Sequence, residues 1–83
     1  MFYVYILQSD LDRTFYIGFS ENLEKRVLQH NNGESAYTSR KIPWKLVYFE
    51  EFTLKSDALK REKFLKAQKN KVFYQKLIDS LDR

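Results

Sequence analysis

Hydrophobic and polar positions alternate along the start of the chain. Residues 2–8, Phe-Tyr-Val-Tyr-Ile-Leu-Gln, are aromatic and β-branched and predict a strand. Residues 9–13 carry turn chemistry, and residues 14–19, Thr-Phe-Tyr-Ile-Gly-Phe, predict a second strand that closes a hairpin. Side chains alternate across a strand. Phe2, Val4 and Ile6 therefore share one face, and Tyr3, Tyr5 and Leu7 the other. In the second strand Phe15, Ile17 and Phe19 oppose Tyr16 and Gly18. A two- or four-residue loop aligns apolar face with apolar face and tyrosine face with tyrosine face, whereas a one-residue slip would mix them. The front of the hairpin then carries Tyr3, Tyr5 and Tyr16 around Gly18, whose missing Cβ leaves room for a close approach.

The period then changes to that of a helix. Ser20 suits an N-cap for a helix over about 21–32, with Gly33 able to end it. Leu23, Arg26, Val27 and His30 fall on one face, the one expected against the sheet. A polar loop over 34–43 leads to a third strand over 44–52, apolar at both parities and so expected to be covered on both sides. Ser56 suits the cap of a second helix, about 57–68, with Ala58, Leu59 and Leu65 apolar and Glu62 lodged in their stripe. Asn70 can cap a third helix carrying Phe73, Leu77 and Leu81. The order ββαβαα predicts an α+β fold: a three-stranded, mostly antiparallel sheet flanked by helices, in a single domain over 1–83. Tyr5, Tyr16, Arg26, His30 and Glu62 are expected to converge on one sheet face, which core packing alone would not choose.

Composition narrows the function. There is no Cys for a disulfide or a thiolate-held metal, and seven Phe, six Tyr and one Trp supply the core instead. No apolar run approaches the ~20 residues of a membrane span, so a cytoplasmic protein without a membrane partner is expected. Charge is unevenly placed. Residues 1–39 hold three Lys/Arg against five acids, and residues 40–83 hold twelve against six. The basic half suits a polyanion, most simply nucleic acid, but a basic stretch taken alone is more often a solvated helix face, so charge does not decide between them.

The motifs resemble those of a known family. Tyr3-Val4-Tyr5 followed by Tyr16-Ile17-Gly18 resembles the GIY-YIG nuclease signature, with Tyr3 in place of its first Gly. Ser20-x-Asn22-Leu23-x-x-Arg26-x-x-x-His30, Pro43-Trp44-Lys45-Leu46-Val47-Tyr48 and Ala58-x-x-Arg61-Glu62-Lys63 resemble the short, stand-alone bacterial members. The family is similar to the nuclease domain of nucleotide-excision repair incision subunits. The resemblance implies a metal-dependent endonuclease acting on DNA, with RNA left open, in repair or recombination. It implies Tyr5 and Tyr16 as the motif tyrosines, Arg26 as the catalytic Arg, His30 as the helix His and Glu62 as the ligand of Mg²⁺ or Mn²⁺. Mg²⁺ needs only one or two carboxylates, so one Glu suffices. Lys60, Arg61, Lys63 and Lys66 are then expected on the nucleic-acid backbone. Phe19 follows the motif where some relatives carry a Lys that activates a tyrosine, and which tyrosine is the base stays open. The alternative is a non-catalytic nucleic-acid-binding module of the same fold. In either case a protein partner could supply specificity.

Overall fold

The computed structural model describes residues 1–82. Strands β1 (Phe2–Ser9), β2 (Phe15–Ser20) and β3 (Trp44–Phe52) form one antiparallel sheet in the order β2-β1-β3. Helix α1 (Leu23–Asn31) lies between β2 and β3 in sequence, and α2 (Lys55–Gln68) and α3 (Lys71–Asp79) come after β3. The fold is α+β in the expected order ββαβαα. Among the described residues no helix is long and apolar enough to cross a membrane.

The hairpin has the register its sequence specifies. Val4 lies opposite Phe19 and Ile6 opposite Ile17, while Tyr5 lies opposite Gly18 and Leu7 opposite Tyr16. Arg13 closes the turn in the left-handed region, with φ of 67°. The apolar parity of β3 has a specific cause. The β1–β3 register shifts between Ile6 and Leu7, so that Ile6 faces Tyr48 but Leu7 faces Leu46. Val47 is the extra residue of a β-bulge, which bends the strand and changes the face to which the next side chain points. Tyr48 therefore points to the back of the sheet, and Trp44 and Leu46 to the front.

Two layers cover the two faces. On the back, Val4, Ile6, Ile17 and Tyr48 pack with Ala58 and Leu65 of α2 and Tyr74 of α3. On the front, Tyr5, Leu7 and Trp44 pack with Tyr16 and with Leu23 and Val27 of α1. The helix starts differ from the sequence expectation. Asn22, not Ser20, caps α1 by accepting the Lys25 N–H at 3.1 Å. Ser20 is still in β2, and its hydroxyl instead takes the Asn22 N–H at 3.0 Å to turn the chain. Helix α2 begins at Lys55 without a side-chain cap, one residue before Ser56. Asn70 caps α3 as expected, accepting from Val72 and Phe73.

Candidate active site

The first site element is Tyr5, sealed at the centre of the sheet with 1% of its surface exposed. Its ring lies across the neighbouring strand over Gly18, where any Cβ would overlap the ring and hydroxyl. The space that Gly18 leaves is filled by Tyr5 itself. The ring is thereby directed toward the open edge of β2, beside Tyr16, with ring centroids 6.5 Å apart.

Helix α1 places His30 and Arg26 over this pair. His30 Nε2 lies 2.9 Å from the Tyr5 hydroxyl, and Nδ1 lies 2.7 Å from Thr38 Oγ1. Both His30 and Thr38 are fully buried. Burial, with the Arg26 charge nearby, lowers the His30 pKa to about 4, so the imidazole is neutral at physiological pH. Burial pushes the Tyr5 hydroxyl up to about 12, and Tyr16 and Glu62 add to this while the adjacent Arg26 opposes it. Arg26, half-buried, also donates to Gln29 at 3.1 Å. Tyr5, Tyr16, Arg26 and His30 thus form one cluster on the front face.

Glu62 reaches the cluster by another route. Its helix, α2, covers the back face, so the expectation that all five groups share one face is corrected. Helical periodicity fixes which residues turn toward the sheet, but not the side of the sheet on which the helix lies. The carboxylate sits on the flank of α2 near β2, and its charge acts on the Tyr5 hydroxyl. Glu62 is half-buried and pairs with Lys66 one turn on, at 3.2 Å.

The basic residues of α2 separate by face. Lys60 and Lys63 are exposed on the side away from Ala58 and Leu65. Arg61 turns inward instead. Its guanidinium bonds both oxygens of Glu50 at 2.9 Å each and lies over the Phe64 ring, 5.3 Å from its centroid. Glu50 also accepts the Tyr48 hydroxyl. The pairing holds the Glu50 carboxyl below its ordinary pKa against the effect of burial. Arg61 is therefore engaged in joining α2 to β3 rather than free for a phosphate.

Three residues not singled out from the sequence belong to the neighbourhood. A groove of about 570 Å³ along the β2 edge is lined by Tyr16, Tyr37, Lys66, Lys69 and Tyr74, among others. Tyr37 is 70% exposed, and its ring lies 5.6 Å from that of Tyr16. Lys69 ends α2 in the left-handed region, its N–H bonded to the Tyr74 hydroxyl at 3.2 Å. The third is Thr38, whose carbonyl accepts the Trp44 indole N–H at 2.8 Å and pins the loop. All three lie in a polar loop or just past a helix end, where no periodicity marks them.

The donor set suits a hard cation shared with a substrate. Among the described residues no three His, Cys, Asp or Glu cluster as a closed metal cage. One partly shielded carboxylate, Glu62, paired with the groove-lining Lys66, is what Mg²⁺ accepts when substrate oxygens and water complete its shell.

Known proteins resemble this chain. Residues 1–77 match the family model described as the GIY-YIG catalytic domain. The chain is 48% identical over 61 residues to a UPF0213 protein of Staphylococcus saprophyticus, covering 72% of this chain and 73% of that one. It is 51% identical over 67 residues to a UPF0213 protein of Clostridium perfringens, covering 80% and 71%. The solution NMR structure of a UPF0213 protein from Bacillus halodurans superposes with a TM-score of 0.59 at 28% identity, covering 95% of this chain and 84% of that one.

Proposed function

The chain belongs to the GIY-YIG catalytic domain family, and on that premise we propose that it is a metal-dependent endonuclease hydrolysing phosphodiester bonds in DNA. What supports this is the cluster of Tyr5, Arg26 and His30 on the front face, beside the open groove lined by Tyr16 and by Lys66, the partner of Glu62. A binding module has no use for a half-buried carboxylate there, since it repels phosphate.

The chemistry divides among the residues. Arg26 offers a planar fork to the non-bridging oxygens, where charge grows during attack. One of the two tyrosines, Tyr5 or Tyr16, ionised to its tyrosinate, takes up the proton of the attacking water. Ionising Tyr5 at pH 7 from about 12 costs about 7 kcal/mol, at 1.36 per unit; that value already includes the help of Arg26, so a bound cation would have to offset most of the rest. His30 holds the Tyr5 hydroxyl in place. Mg²⁺ or Mn²⁺ on Glu62 would neutralise the phosphate and steady the leaving oxygen. Lys66 and Lys69 hold the backbone at the groove, with Lys60 and Lys63 extending the positive surface outward. One domain over 1–83 carries the activity in a cytoplasmic setting tied to repair or recombination, with a protein partner supplying target choice.

The test is a cleavage assay on single strands, duplexes, flaps and branched DNA, with RNA counterparts, in Mg²⁺ or Mn²⁺. Wild type should cut, EDTA should stop it, and Arg26→Ala or Glu62→Ala should each lose ~10²–10³ in rate with little change in melting temperature. Wild-type protein that binds these substrates and cuts none would make it a non-catalytic nucleic-acid-binding module.

A further inference from the structure

Tyr5, His30 and Thr38 form a chain of hydrogen bonds with no water-facing member. The Tyr5 hydroxyl meets Nε2 at 2.9 Å, and Nδ1 meets the Thr38 hydroxyl at 2.7 Å. Tyr5 is 1% exposed, and His30 and Thr38 are not exposed at all. A neutral imidazole carries one N–H, and each hydroxyl carries one proton. Three protons therefore share two hydrogen bonds, and one proton is left over at one end of the chain.

The two ends are not equivalent. Among the described residues the Thr38 hydroxyl has one hydrogen-bond partner, Nδ1 of His30. If Nδ1 carried the proton, the Thr38 hydroxyl proton would be buried with no acceptor, which incurs the full desolvation penalty of that donor. At the other end Tyr5 lies beside Tyr16, which lines the open groove, so a substrate oxygen entering there can take its proton. The cheaper arrangement places the surplus at Tyr5. When Tyr5 gives up that proton, every donor in the chain has its acceptor.

We propose that Thr38 is a positioning residue: its hydroxyl donates to Nδ1 and fixes His30 as the Nε2–H tautomer, which donates to the Tyr5 oxygen. The direction Thr38 to His30 to Tyr5 supplies a neutral donor to the tyrosine oxygen. It also explains why a loop Thr is buried, its carbonyl locked by the Trp44 indole at 2.8 Å. The tautomer is set by this chain's geometry alone; its use in cleavage rests on the nuclease proposal.

The experiment is long-range ¹H–¹⁵N NMR of the side chain of His30, the sole histidine, in the full chain near pH 7.5. Wild type should show the proton on Nε2 and a bare Nδ1. Thr38→Val should move the proton to Nδ1 or mix the two forms, and Thr38→Ser should restore the wild-type pattern. Cleavage should fall about 10²-fold in Thr38→Val, between the ~10-fold of lost orientation and the ~10⁴-fold of a wrong tautomer, and recover in Thr38→Ser. A proton on Nδ1 in wild type overturns the assignment, and that measurement needs no variant to fold. A folded Thr38→Val with an unchanged tautomer and unchanged cleavage also overturns it while leaving the nuclease proposal intact. The expected tautomers in a protein that cuts nothing would uphold the chain of bonds and overturn the nuclease proposal.

Discussion

On the back of the sheet, Val4, Ile6 and Ile17 meet Ala58, Leu65 and Tyr74, and the Tyr74 hydroxyl between the helices is satisfied by the Leu65 carbonyl at 2.6 Å. On the front, Tyr5 of β1, His30 of the short helix α1 and Thr38 of the loop after it are each fully sealed and each polar. The same three strands supply both faces. The back is cohesive through apolar area, which tolerates modest rearrangement but not loss of volume. The front is held by directed bonds, where each group must keep its partner. A chain of this size places its stability on one side and can then keep demanding polar chemistry on the other.

The largest effect should come from breaking the back. Leu65→Ala empties a fully buried site and should cost about 2–5 kcal/mol, lowering the melting temperature by at least ~8 °C in thermal unfolding. Next is the front's dependence on pH. The folded His30 pKa of about 4 lies below its ordinary 6.5, so the unfolded chain binds that proton first. Stability should be level above about pH 6.5 and fall by roughly 3 kcal/mol as pH drops to about 4. Denaturant melts across that window should show the loss, and His30→Gln should remove it. Carboxylate effects such as that of Glu50 enter mainly below this window.

Gly18→Ala sharpens the contrast further. Its Cβ would meet the Tyr5 ring, so the tyrosine must leave His30 or the strand must shift, at about 1–3 kcal/mol. Cleavage should suffer more than the melt indicates, because the displaced group is the site itself. The smallest structural effect belongs to Lys66→Ala. Its exposed pair with Glu62 should change stability by only about 0.2–0.5 kcal/mol. The salt dependence of duplex DNA binding should nevertheless flatten by about 0.9 in log–log slope, while Lys76→Ala on α3 leaves the slope alone.

The hairpin was legible because parity and Gly18 allow one register. Arg26 and His30 were legible because they share the helix face of Leu23 and Val27. The placement of α2 was not, since a helix shows its own buried stripe but not the side of the sheet it covers. Arg61 looked like one of several equivalent cations because its partner, Glu50, lies on another element, eleven residues earlier. Thr38 was invisible for a similar reason. A hydroxyl in a polar loop carries no pattern until Trp44 and His30 arrive from elsewhere in the fold. The bulge at Val47 did leave a trace, the mixed parity of β3, but double-sided covering predicts the same trace.

That bulge acts on β3 as an inserted letter acts on a reading frame. Upstream of Val47 the strand addresses the front, and downstream it addresses the back. Removing one residue from this strand would therefore not be a local injury. The frame before the lesion would invert, turning Trp44 outward and Lys45 inward, and the loop tied to that indole would lose its anchor. An alternative frame exists for the strand but not for the cluster, so the chain could still form its sheet while the chemistry above it had no coherent arrangement.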